Sequence, residues 1–201
     1  FIAGFGLLNS LADLATFERG GHLAPVPMPG GAAAIRQPWR MAAAYLGAGL
    51  GAAGLGAARA DGLDVMRPHE NHWPAVLAMA AKGINSPLTS SAGRLFDAAA
   101  AVLGVRDTIN YEGQAAVELE QLADPAETGA YPAGLEPGPP FRVRGADLVH
   151  ALIDDLAAGT PRPVVAARFH HGVAALIEAG CLLLRERHGL APEALSGGVF
   201  P

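Results

Sequence analysis

Apolar positions along this chain recur mostly at helical spacing. Between Ser90 and Gly104, Leu95, Ala99 and Val102 fall on one stripe, with Phe96 and Leu103 beside it. That is the 3.6-residue period of an amphipathic helix. Ser90 or Ser91 is suited to cap its start and Gly104 to end it. "ADLVHALIDDLAAG" repeats the pattern at Leu148, Leu152 and Leu156. A long helix is predicted from Pro163 to about His188, stopped by Gly189. "AIRQPWRMAAAYL" predicts a helix with Pro38 in its first turn. "HENHWPAVLAMAAKG" predicts another, with Pro74 near the start and Gly83 near the end. "EGQAAVELEQLA" supplies one more.

The segments between these helices read differently. Residues 1–31 mix short apolar runs with the extended "PVPMPGG". Gly47 to Gly56 is broken by glycines. Residues 124–140, "DPAETGAYPAGLEPGPP", form a loop by composition. "FRVR" reads as a short strand, and "EALSGGVFP" as a short strand running into a glycine turn. The expectation is a mostly helical structure with a few short strands, with 163–188 as its most continuous element.

Composition sharpens this picture. The chain has 201 residues, 51% of them hydrophobic and only 6% aromatic, with 26 glycines. That is enough apolar surface for a real core, built from small side chains that let helices pack closely. The net charge of −5 argues against a broad electrostatic hold on nucleic acid. The single cysteine, Cys181, excludes an internal disulfide framework and a cysteine zinc site, and fits a reducing compartment. It sits in "EAGCLLLRE", where a buried inert thiol is expected. "FIAGFGLLNSLADL" has neither a basic leader nor an A-x-A cleavage site. Met41 to Ala58 is uncharged and of span length, but its Ala and Gly side chains gain little in hydrocarbon. No membrane span is expected, and the chain is read as cytoplasmic.

Several motifs promise less chemistry than they show. "GLGAAG", Gly49 to Gly54, matches G-x-G-x-x-G, but "MAAAYL" before it reads as helix, not as the strand a dinucleotide fold requires. His170 and His171 are adjacent and diverge on a helix, so they are no metal pair. His69 and His72 flank a helix start and suit a packing corner. Ser196 in "LSGGVF" lacks the nucleophile-elbow pattern. Asp97 is the exception: one carboxylate among alanines. Its plainer role is an ion pair with Arg94, three residues earlier on the same face. Its sharper role is as an acceptor for sugar hydroxyls, with Glu118 on the next helix and Gly113 at the turn, both acids facing one open hollow.

Four long segments decide between those roles. "PVPMPGGAAAIRQPWRMAAAYL", "GINSPLTSSAGRLFDAAAAVLG", "NYEGQAAVELE" and "LSGGVF" closely resemble, in order, the C-terminal TsaD-like domain of the HypF carbamoyltransferase family. The resemblance spans roughly residues 17–200. It implies an α/β actin, sugar-kinase and Hsp70-type fold, of which this chain is a mostly helical part. It implies ATP and carbamoyl phosphate as substrates, a carbamoyl-adenylate intermediate, and transfer to the C-terminal cysteine of a HypE-type partner, which supplies cyanide ligands in [NiFe]-hydrogenase maturation. Asp97, Gly113 and Glu118 match nucleotide-contacting positions, and Ser196, Gly197 and Gly198 match the loop near adenine.

The family's divalent-metal ligands and phosphate loop belong outside residues 1–201, so the chain is expected to be a partial domain without carbamoyl transfer of its own. Residues 1–10 fit the family's start poorly and read as divergent or vector-derived, and Pro201 departs from the family pattern. The alternatives are a related O-carbamoyltransferase, a tRNA threonylcarbamoyltransferase, or a non-catalytic helical binding module.

Overall fold

The computed structural model describes residues 11–12, 17–48, 63, 65 and 67–189. Among the described residues seven α-helices surround one core: α1 (Ala32–Arg36), α2 (Pro38–Gly47), α3 (Trp73–Lys82), α4 (Ala92–Val102), α5 (Gln114–Leu122), α6 (Gly145–Ala157) and α7 (Arg162–His188). The strands are short: β1 (Leu11–Ala12), β2 (Phe17–Glu18), β3 (Gly21–Leu23), β4 (Val26–Pro27), β5 (Leu88–Thr89), β6 (Leu135–Glu136) and β7 (Phe141–Val143).

Helix α4 is the centre of the molecule. It packs against α2, α5 and α6. Its alanines, Ala98 to Ala101, are wholly buried, as are Ala42 and Ala43 on α2. A helix covered on every side cannot show a strong polar face, and small side chains let its neighbours approach closely. The predicted stripe of Leu95, Ala99, Val102, Phe96 and Leu103 is all buried, but so is the rest of the helix apart from Gly93. Phe96 meets Phe169 of α7 edge to face, with ring centroids 5.2 Å apart.

Helix ends follow the sequence closely. Gly83, Gly104 and Gly189 sit at positive φ just past α3, α4 and α7, where a left-handed residue satisfies the last carbonyls. Pro74 lies in the first turn of α3. The long predicted helix is α7, 27 residues, or about 40 Å. One prediction needs correction. "AIRQPWRMAAAYL" is two helices, because Gln37 leaves helical geometry at φ −126°, ψ 77° before Pro38. A residue preceding proline is crowded out of the α region.

The main sheet joins distant segments in the order β3–β7–β6. β3 and β7 are parallel, pairing Gly21 with Phe141 and Leu23 with Val143, while β6 and β7 are antiparallel. A Cβ on Gly21 would fall only 2.2 Å from the Phe141 ring, so the strand pair needs glycine there. β4 pairs with β5 and brings residues 85–89 against 26–31.

His69 is the packing corner the sequence suggested. Its ring stacks on Trp39 at 4.3 Å, and its Nε2 lies 2.8 Å from Asp107 Oδ2. His170 and His171 diverge as expected, toward the carbonyls of Ala166 and Gly129. Cys181 is half-buried rather than in the core, because α7 has no buried residue beyond Gly180. Among the described residues no helix is long and apolar enough to cross a membrane.

Candidate functional site

The site is built on α4 and the turn that leads into α5. Asp97 points inward: the residue is 1% exposed. Arg94 Nη2 lies 3.0 Å from Asp97 Oδ2, one helical turn away on the same face. The contact is ionic but not angled as a hydrogen bond. Asp97 Oδ2, Arg94 Nη1 and Tyr45 Oη all lack a hydrogen-bond partner among the described residues. Tyr45, from α2, is close enough for Arg94 and Asp97 to act on its phenol, and burial pushes that phenol well above its ordinary range.

Burial pushes the Asp97 carboxyl up to about 6; Arg94 pulls it down, and Glu112, in the turn above, pushes it up. Asp97 therefore sits between one cation and one anion. Gly113 follows Glu112 at φ 83° and opens α5, and nothing lies within 4 Å of where its Cβ would be. A side chain there would be strained, and the bare backbone leaves that side of the turn free for close approach.

Glu118 has a different neighbourhood. Arg106 Nε and Nη2 donate to its two oxygens at 2.8 and 2.6 Å, and Gln114 Nε2 donates at 3.0 Å. This fork from Arg106, then Gln114, holds the carboxyl below its usual range. Gln114 also accepts the Asn110 backbone N–H, and Ile109 N–H donates to the Arg36 carbonyl. The segment 104–113 is thus tied to α1, to α5 and, through Asp107, to His69.

The expected open hollow shared by Asp97 and Glu118 is not formed. Asp97 is closed off and faces Arg94; Glu118 is partly exposed and faces Arg106. The reason is the all-round burial of α4, which places its polar residues beneath α2 and the Glu112 turn. The plainer reading of Asp97, an ion pair with Arg94, is what the coordinates show. Ser196, Gly197, Gly198 and the glycine motif at 49–54 lie outside the described residues. No group of three or more His, Cys, Asp or Glu among the described residues is placed to hold a metal ion.

Sequence reasoning missed Tyr45 and Arg106. Tyr45 is the polar position in the otherwise apolar run Met41–Leu46, which is a usable signal. Arg106 is twelve residues from Glu118, a spacing that carries none.

The profile of the family described as "Carbamoyltransferase, Kae1-like Domain, second subdomain" matches residues 6–201. The chain belongs to this family. It is 39% identical to the carbamoyltransferase HypF of Rhodobacter capsulatus over 197 residues, 94% of this chain and 24% of that protein. It is 38% identical to the HypF of Rhizobium leguminosarum bv. viciae, over 92% of this chain and 25% of that protein. Among solved structures, full-length HypF in a phosphate- and nucleotide-bound form superposes with a TM-score of 0.84 at 29% identity. It shares 95% of this chain and 29% of its own. The HypF-type chain therefore spans about a quarter of the length of the curated relatives it matches. The Kae1-like assignment bears out the resemblance and the mixed α/β, mainly helical fold read from the sequence.

The buried carboxyl of this HypF-type subdomain carries a pH signature. Its folded pKa, about 6, lies above the ordinary 3.8, so the fold favours the protonated form. The contribution is fully present below about 3.8 and is lost as pH rises through about 6. Replacing Asp97 by Asn removes it. The unfolding free energy of the native protein, relative to Asp97→Asn, is expected to improve by about 2 kcal/mol on going from pH 7 to pH 4. Parallel urea titrations at the two pH values measure it. Glu118, held low by Arg106, and Glu127, held low by the Gly129 backbone N–H and then by Arg168, move the opposite way, but equally in both proteins. A difference that stays flat would show that Asp97 is not buried as described.

Proposed function

We infer that this chain is one wall of the nucleotide cleft of a HypF-type carbamoyltransferase. The reading is carried by the family match together with the likeness to a HypF captured with phosphate and nucleotide. In the complete enzyme, carbamoyl phosphate would give carbamate with release of phosphate, carbamate would attack the α-phosphorus of ATP to form a carbamoyl-adenylate and pyrophosphate, and the carbamoyl group would pass to a cysteine thiolate of a HypE-type acceptor with AMP as the leaving group. A divalent metal would neutralise phosphate charge; its ligands are not assigned to this chain.

The residues of this chain fit the nucleoside end. By the resemblance Asp97 stands at a ribose-contacting position; in this chain it lies behind the surface, 1% exposed and paired with Arg94. Gly113 lets the ligand approach the turn backbone. Glu118, already engaged by Arg106 and Gln114, fixes the first turn of α5 and keeps one edge exposed. Ser196, Gly197 and Gly198 are assigned to the base end by the resemblance alone. The reaction itself belongs to groups supplied elsewhere in the enzyme.

The test is nucleotide binding by the full-length protein. Asn at position 97 keeps the shape of the side chain and one acceptor but loses the charge. Charge-assisted hydrogen bonds contribute about 1.5–3 kcal/mol, so Asp97→Asn should bind ATP roughly ten- to hundredfold more weakly. Titration calorimetry measures this. Equal affinities in a folded variant would remove Asp97 from the nucleotide site.

A further inference from the structure

We propose that the outer face of α3 and β5 is the seat of another domain of the HypF-type polypeptide, packed against it within one molecule. Between Trp73 and Leu88 the only charged residue is Lys82. α3 is apolar all round, and a helix of that kind belongs in an interior. Yet only Trp73 and Val76 of its 10 residues are buried. Its main neighbour among the described elements is α2, which takes one side. Leu77 and Met79 are half-buried, and the segment that follows exposes larger groups: Ile84 is 57% and Leu88 70% exposed.

These side chains stand on a fixed frame. Gly83, at φ 66°, ends α3, and Ile84 N–H donates to the Met79 carbonyl at 3.0 Å. Leu88 pairs with Pro27 across β4 and β5, Met28 N–H donates to the Pro87 carbonyl, and Gly30 N–H donates to the Asn85 carbonyl. A backbone tied in this way keeps Ile84 and Leu88 on the outside, where only another surface can take them from water. Lys82 and Asn85, both exposed, give the face a polar rim, the pattern of an interaction surface.

The occupant follows from length and chemistry. The chain spans 24% and 25% of two HypF relatives and 29% of the full-length HypF on which it superposes. Its family is described as the second subdomain of one domain. The greater part of such a polypeptide therefore lies outside residues 1–201. A domain tethered to the same chain is present at high effective concentration, so it takes an apolar face ahead of a second copy or a separate protein. Its matching surface is apolar, with a carboxylate opposite Lys82, the one charge the face carries.

The test is photo-crosslinking in the full-length protein, purified as a monomer. Benzoylphenylalanine replaces Leu88 in one variant and Ile84 in another, and the peptides joined on irradiation are identified by mass spectrometry. They should come from the same molecule and from outside residues 1–201. In parallel, Leu88→Cys should react with a maleimide at least roughly tenfold more slowly in the native protein than in urea, because a covered thiol reacts only when the interface opens. A native rate close to the unfolded one overturns the proposal. So does irradiation that yields no product, or joins only residues within 1–201, two copies, or a separately added acceptor protein. Should both benzoylphenylalanine variants fail to fold, carbodiimide coupling of Lys82 in the native protein decides. Coupling to a carboxylate outside residues 1–201 of the same molecule supports the proposal, and any other result overturns it.

Discussion

Asp97→Ala should lower the unfolding free energy by about 3–5 kcal/mol, the cost of removing one partner from a buried ion pair. Alanine is the better helix former by a few tenths of a kcal/mol, which offsets little of this. The penalty comes from Arg94. Its guanidinium lies buried beside Asp97 and would be left with a charge that neither water nor a neighbour compensates. The double variant Arg94→Met with Asp97→Leu should recover most of the loss, because an apolar pair needs no counter-charge. Denaturant titration of the four proteins gives the coupling energy directly. A loss below about 1 kcal/mol for Asp97→Ala would mean that Arg94 reaches solvent when its partner is gone. Asparagine keeps an acceptor beside Arg94 but not the charge, so Asp97→Asn should lose less stability than Asp97→Ala without escaping the loss.

The second large effect is expected at the contact between the central helix and the long one. Phe169 is fully buried and meets Phe96 edge to face, near perpendicular at 86°. Phe169→Ala should cost about 3–5 kcal/mol, from lost transfer energy and from the cavity left behind. The site has little room to collapse. Three residues along α7, a Cβ on Gly172 would already lie 2.8 Å from both Leu148 and the Tyr131 carbonyl, so α7 cannot slide inward. Phe169→Leu should cost clearly less, since it keeps most of the volume. Thermal or urea unfolding separates the two variants; similar losses would show that aromatic shape, not volume, matters at this contact.

Much of the fold was legible because local chemistry decided it. Gly83, Gly104 and Gly189 end their helices in the left-handed conformation that only glycine adopts without strain. Arg94 and Asp97 are three apart on a helix, and they pair. Pro38 opens its helix in the first turn as read, but the residues before it, Ala32–Arg36, form a short helix of their own that the sequence reading merged with it. The rest depended on contacts between residues far apart in the chain. Nothing near Gly21 announces that it will pair with Phe141. Nothing near Arg106 points to Glu118. The depth of Asp97 was hidden for a related reason: alanines on both sides suggested an open surface, whereas three neighbouring helices cover them. Small side chains signal close packing as readily as ligand access.

The ties on residues 104–113 carry a thermodynamic consequence. Arg106 to Glu118, Asp107 to His69, Ile109 to Arg36 and Asn110 to Gln114 each fix this connection to a different neighbour. Ordering a free backbone costs roughly 1–2 kcal/mol per residue. Here that entropy is surrendered when the chain folds. A molecule arriving at the Glu112–Gly113 turn would meet a connection already ordered, and its affinity would not be reduced by the entropy of ordering it.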